Sequence, residues 1–155
     1  MTSLQRLAIP VVALAALALA SCDTIGASML QATLPGQGDG VQEFQVKPLP
    51  LTFWDRTGLV TAIEPAAPVP AEWTQGIHAV PDQPNVLSAR WLGGACESHV
   101  TATLFDDPGH FTLRIESSIF PALGCVALGV QRDLRITFRR EVSPDDVVMT
   151  ESEGL

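Results

Sequence analysis

The stretch HVTATLFDDPGHFTLRIES, residues 99–117, decides the fold class. Apolar and polar residues alternate on both sides of the turn-forming pair Pro108 and Gly109. A period of two is typical of strands buried on one face, and a proline–glycine turn between two such strands predicts a β-hairpin. The residues expected to face inward are Val100, Ala102, Leu104, Phe111, Leu113 and Ile115.

Similar strand patterns lie on both sides of this hairpin. They predict strands at 51–54, 59–63, 86–91, 126–130 and 133–139, with a turn at 55–58 and a strand end at Gly93 and Gly94. In the last of these strands Leu134, Ile136 and Phe138 are expected to face inward. About seven strands without a convincing helix predict an all-β fold, either an antiparallel β-sandwich of immunoglobulin-like architecture or a small barrel.

Prolines interrupt the pattern between residues 65 and 84. Proline fixes one backbone angle and lacks an N–H, so this segment is expected to be a surface loop and neither a regular helix nor a central strand. Trp73 is expected to pin the loop to the domain. Further on, Ser143 and Pro144 before two aspartates predict an N-cap and the first turn of a short helix.

The N-terminus has the layout of a secretory signal peptide. Residues 1–6 carry one positive charge, and residues 7–20 form an uninterrupted apolar run that ends in small residues. A helix that spans a bilayer needs about 20 apolar residues, so this run is too short for one. The protein is therefore expected to be exported.

Cys22 follows the small residues directly, and the sequence LASC at 19–22 resembles the lipobox of bacterial lipoproteins. The resemblance covers the first 22 residues alone. It implies that the Cys22 thiol receives a diacylglycerol, that a peptidase cuts before Cys22, and that the new amine is often acylated. Two or three acyl chains hold a protein stably at a membrane, which would be this protein's membrane contact. The alternative is ordinary cleavage before Ser21, after the small-residue site at 18–20.

These features divide the chain into three parts. Residues 1–21 are the predicted signal peptide, 22–47 the lipidated N-terminus and a flexible tether, and 48–155 a β-rich globular domain. The tether prediction depends on the absence of sustained periodicity and on Gly36, Gly38 and Gly40 in a polar setting.

The charge of the chain excludes one class of partner. The net charge is −8, and removal of the signal peptide, with its Arg6, makes it one unit more negative. Binding to nucleic acid needs clustered Lys and Arg, so nucleic acid is not an expected partner. The same charge argues against docking a folded face on anionic lipid.

Cys96 and Cys125 are expected to form a disulfide, because paired thiols in a small exported β domain usually oxidise. Closing a loop of about 30 residues stabilises the fold by about 3–4 kcal/mol. The alternative is a zinc site formed by these two cysteines with His99 and His110. It is disfavoured, because the two histidines are expected at opposite ends of one strand.

No catalytic motif stands out. A nucleophile elbow is absent from the sequence, and the adjacent aspartates fit turns. Trp54 and Trp73 are candidate ligand-facing aromatics, since flat aromatic surfaces bind sugars and peptides. Trp91 is expected to pack on the disulfide, by architectural analogy with immunoglobulin-like domains.

Two functional classes stay open. The favoured one is a non-catalytic envelope lipoprotein, without a cofactor, whose β domain binds a protein or glycan partner or is structural. The alternative is a small exported hydrolase or metal-dependent enzyme. A contiguous aromatic patch would favour binding, and a pocket where two histidines and a carboxylate converge would favour catalysis.

Overall fold

The computed structural model describes residues 27–35, 48–66, 74–119 and 129–154. The predicted signal peptide, Cys22, Trp73 and Cys125 lie outside these residues, so the expectations for them stay predictions. The described residues form nine strands and one 3-10 helix, Pro144–Asp146. The strands are β1 (Ser28–Leu34), β2 (Leu49–Asp55), β3 (Val60–Pro65), β4 (Gly76–Val80), β5 (Gln83–Gly94), β6 (Glu97–Asp107), β7 (His110–Ile119), β8 (Gly129–Phe138) and β9 (Val147–Gly154).

The all-β prediction is confirmed, and the strands form two sheets. The five-stranded sheet has the order β1-β2-β6-β7-β9, and the four-stranded sheet has the order β3-β8-β5-β4. Within the described residues neither sheet closes on itself, so the small barrel is not found. Buried side chains from both sheets belong to one hydrophobic cluster, and the edges lie together, with β1 against β3 and β4 against β9.

The direction of each strand follows from its place in the chain. Within each sheet the pairings make odd-numbered strands run one way and even-numbered strands the other. Neighbours whose numbers are both odd or both even must therefore be parallel. This applies to β2 with β6 and to β7 with β9, so the expectation of a purely antiparallel fold is wrong for these two pairings. The count of about seven strands is also corrected to nine.

The predicted hairpin is confirmed. β6 and β7 pair antiparallel from Asp107 and His110 at the turn to Glu97 and Ile119 at the far end. Gly109 takes the left-handed conformation at the turn, with φ of 88°. All residues expected to face inward from this hairpin and from β8 are buried. The expected strands at 126–130 and 133–139 differ from the structure, because residues 129–138 form the single strand β8.

β1 lies inside the segment that was expected to be a flexible tether. It pairs antiparallel with β2 along its whole length, and Leu34 is 1% exposed. Leu30 and Ala32 pack against the same core from alternate positions. The tether prediction is therefore corrected for residues 28–34. Only three side chains of this short strand face inward, so its apolar alternation is weak. The glycines that follow it made the whole segment resemble a flexible tether.

β4 and β9 are the other unexpected strands. β4 lies in the proline-rich segment, yet it is an edge strand, where missing N–H donors are tolerated. Pro81 and Asp82 form its turn to β5, and Asp82 has φ of 60°. The assignment of residues 76–80 to a loop is corrected, and so is the exclusion of a central strand for Gln83 and Pro84, which begin the central strand β5. β9 follows the 3-10 helix, where the Ser143 side chain accepts from the Asp145 N–H as predicted.

The two ends of the molecule differ. We call one the short-turn end: it holds the connections at 56–59, 81–82, 108–109 and 139–146. The chain also enters β1 there, because Ser28 pairs with Asp55. The other is the long-loop end, where the strands that flank the segments 35–48, 66–75, 95–96 and 120–128 end and begin. Cys96 lies at the long-loop end, in the turn between β5 and β6.

Candidate functional site

The outer face of the five-stranded sheet brings aromatic, apolar and arginine side chains together near the short-turn end. Trp54 lies between Phe53 and Asp55, which are both buried, so its side chain points outward. Met29 stands directly opposite it on β1 and is 52% exposed. We call the whole group the outer patch; its members are Met29, Trp54, Arg56, Phe105, Arg114 and Val148.

Two arginines of the outer patch lie over aromatic rings. The Arg56 guanidinium carbon is 5.4 Å from the centre of the Trp54 ring, and that of Arg114 is 5.1 Å from the centre of the Phe105 ring. Such contacts hold an exposed arginine near the sheet and leave its N–H donors available. Val148 extends the outer patch to β9. Phe105 of β6 pairs with Thr112 of β7, and Thr112 pairs with Val148.

The outer patch includes one predicted site residue. Trp54 faces outward as a ligand-facing residue must, whereas Trp73 lies outside the described residues. Phe105, Arg114 and Val148 were missed by the sequence analysis. Their signal was present, because each occupies an outward position of a strand whose inward positions are apolar.

A shallow groove lies on the same face, farther from the short-turn end. Backbone and side chains of β1 and β2 form it together with His99 of β6, and the polar groups that line it belong to Gln31, Thr33, Thr52 and His99. These residues do not include an acid, a second histidine or a cysteine. The groove offers hydrogen bonds beside the outer patch but no acid–base pair.

The described histidines are dispersed. His99 pairs with Ser118, while His110 pairs with Asp107 at the other end of the hairpin. Eight residue intervals along β6 separate these positions, which is about 27 Å. His78 lies on β4 in the other sheet and bonds to the carbonyl oxygen of Thr74 at 2.9 Å. In the described part of the chain no three potential metal ligands come together.

A charged cluster is buried at the long-loop end. The Arg132 Nη2 lies 3.4 Å from the Glu97 Oε2, and both side chains are 3% exposed. Ser117 donates to the other carboxylate oxygen at 2.5 Å, and the Arg132 Nη1 donates to the carbonyl oxygen of Pro35 at 3.1 Å. The cluster therefore joins both sheets and the end of β1, and a buried ion pair of this kind needs these additional bonds to offset desolvation.

Two N–H groups beside this cluster find no acceptor among the residues that the structure describes. They are the Trp91 Nε1 and the Arg132 Nε, which belong to directly paired positions of β5 and β8. Burial lowers the pKa of Arg132, and the neighbouring Glu97 carboxylate opposes that shift. The sequence did contain a signal for the burial of Arg132. It lies on the same inward face of the strand as Leu134 and Ile136.

A second buried carboxylate builds the turn between β2 and β3. Asp55 is fully buried and accepts hydrogen bonds from the backbone N–H groups of Thr57, Gly58 and Val60 at 2.8, 3.1 and 2.9 Å. The hydroxyl of Thr57 donates to it as well. Gly58, at the last position of the predicted turn, has φ of 70°. The turn carries the chain from one sheet to the other, so the role of Asp55 is structural.

Comparisons with protein families, curated proteins and solved structures found no match. Within the described residues no helix is long and apolar enough to cross a membrane.

Proposed function

We propose that the chain is an exported lipoprotein of the bacterial envelope. The support lies in the order of a charged start, an apolar run, small residues and Cys22 at the N-terminus. In this proposal the Cys22 thiol carries the lipid and the β domain stays at the membrane surface. Cys96 and Cys125 form a disulfide, which exported small domains use to offset their limited core.

We further propose that the domain is a non-catalytic binding or structural module, with the architecture of a β-sandwich. The outer patch is the observation that supports the proposal of a binding or structural module. It is a run of aromatic, apolar and arginine side chains on one sheet face, which is typical of contact surfaces. No described observation favours the hydrolase or metal-enzyme alternative.

The mass of the mature protein from its native host tests the lipidation. We expect a chain that begins at Cys22 and carries acyl mass, and a gain of two hydrogen masses on reduction, which reports the disulfide. Cys22→Ser is the matched control and should move the protein from the membrane fraction to the soluble fraction. An unmodified mature chain that begins at Ser21 would contradict the proposal.

A further inference from the structure

The position of β1 limits how far the domain can be from a lipid on Cys22. Six residue intervals separate Cys22 from Ser28, where β1 begins. A chain covers at most about 3.6 Å per residue, so the lipidated cysteine lies within about 22 Å of that point. A tether that ran from residue 23 to residue 47 would have allowed several times this distance.

The same position fixes which end of the domain is near the lipid. Ser28 pairs with Asp55, so the chain enters at the short-turn end. Met29 is the next residue, and it stands opposite Trp54 in the outer patch. The short link to Cys22 therefore joins the domain beside the outer patch.

We propose that the outer patch contacts the lipid head-group layer of the membrane that holds the Cys22 anchor. This inference rests on the proposed lipidation and names the partner of the contact surface. Tryptophan is favoured at the interface between water and hydrocarbon, because its ring is apolar and its N–H is polar. Met29 and Val148 add exposed apolar area on either side of Trp54.

The arginines of the outer patch suit the same partner. A guanidinium binds phosphate through two parallel hydrogen bonds, and the guanidinium groups of Arg56 and Arg114 lie over rings of the same surface. The net charge of −8 opposes approach to an anionic surface. The contact therefore depends on apolar and aromatic groups and on lipid phosphates, and neutral phosphatidylcholine is sufficient for it.

The anchor makes such a contact effective even if the patch alone binds weakly. A tethered surface meets its membrane at a high effective concentration, so a second weak contact adds strongly to the first. Lipid anchors that hold proteins stably commonly combine two signals in this way. A soluble protein or glycan would have to compete with a membrane that is always adjacent.

The test compares two exposed positions in the full-length lipidated protein in phosphatidylcholine vesicles. Met29→Cys and Leu92→Cys each carry a nitroxide, and these side chains are 52% and 51% exposed. Leu92 lies near the long-loop end, about 30 Å along β5 from the short-turn end. We expect collisions with a water-soluble nickel chelate to be several-fold less frequent at position 29 than at position 92. Adding Trp54→Ser should remove most of this difference.

The outcomes separate the two proposals. If acyl mass is present but positions 29 and 92 are equally accessible, the inference fails and the lipidation stands. If Cys22 carries no acyl group, both fail. If vesicles alone give no protection of position 29 but an added envelope protein or glycan does, the membrane contact is wrong. The control is a Cys22→Ser protein mixed with vesicles. In it the nickel chelate should collide equally often with nitroxides at positions 29 and 92.

Discussion

Gly93 is a position where packing requires the absence of a side chain. A Cβ atom there would lie 2.5 Å from the Glu97 Oε2 and 2.8 Å from the Oε1. The carboxylate has little freedom to move, because Ser117 and Arg132 both bind it. Gly94 is the next residue, and the nearest atoms to its Cβ position would be 3.9 Å away.

We therefore expect Gly93→Ala to lower the free energy of unfolding by about 1–3 kcal/mol, as overpacking of a buried site usually does. Gly94→Ala is the matched control and should change it by less than about 0.5 kcal/mol. Urea unfolding of the two variants measures the difference. Equal unfolding midpoints would show that Glu97 is not seated over Gly93 in solution.

Single residues also show how far sequence patterns reach. The inward positions of β6, β7 and β8 followed from alternation, because apolar side chains repeat every second residue there. The same alternation also placed Arg132 inward, but the pattern gives no partner for a buried charge. Glu97 comes from another strand and sheet, so the pair arises from tertiary contact.

At the scale of elements, β1 changes the domain organisation. It forms the edge of the five-stranded sheet, and its last residue, Leu34, belongs to the common core. The folded part that the structure describes therefore includes residues 28–34, ahead of the predicted start at residue 48. Residues 28–34 belong to the folded unit, and the link between Cys22 and the fold is short.

We expect Leu34→Ala to lower the free energy of unfolding by about 2–5 kcal/mol, because it removes a fully buried leucine side chain. Met29→Ala, on the exposed face of the same strand, should change it by less than about 0.5 kcal/mol. Thermal and urea unfolding compare the two. If the Leu34→Ala protein were as stable as the parent, residues 28–34 would not contribute to the folded domain, and the tether prediction would stand for them.

The edge strands explain why sequence patterns missed some elements. β1, β3, β4 and β9 each have one neighbour within the described residues of their own sheet, and of these β3 alone was predicted. An edge strand buries fewer side chains, and it tolerates proline and charge, so its alternation is weak. Central strands such as β6 and β8 carry the strong signal, because both of their neighbours and the core constrain them.

At the scale of the whole molecule, the predicted disulfide would join two crossings between the sheets. Cys96 lies in the turn from β5 to β6, and Cys125 lies between β7 and β8. Both connections lead from one sheet to the other at the long-loop end. A bond there would hold the two connections close together in the unfolded chain and so lower its conformational entropy.

We expect the double variant Cys96→Ser with Cys125→Ser to lose about 3–4 kcal/mol of unfolding free energy, following the entropy of a loop of about 30 residues. Urea unfolding with and without a reductant measures it. The parent should shift on reduction to the stability of the double variant, whereas the double variant should not respond. A parent protein indifferent to reductant would argue against the bond.

The sequence by itself determined the all-β class, the central hairpin and its inward residues, because these depend on local alternation and turn chemistry. It also supplied the prediction of export and lipidation, which depends on a linear motif. The tertiary structure decided the strand pairing, the parallel neighbours, the place of β1 and the outer patch. These depend on which strands become adjacent across long stretches of chain, and local periodicity carries no record of that choice.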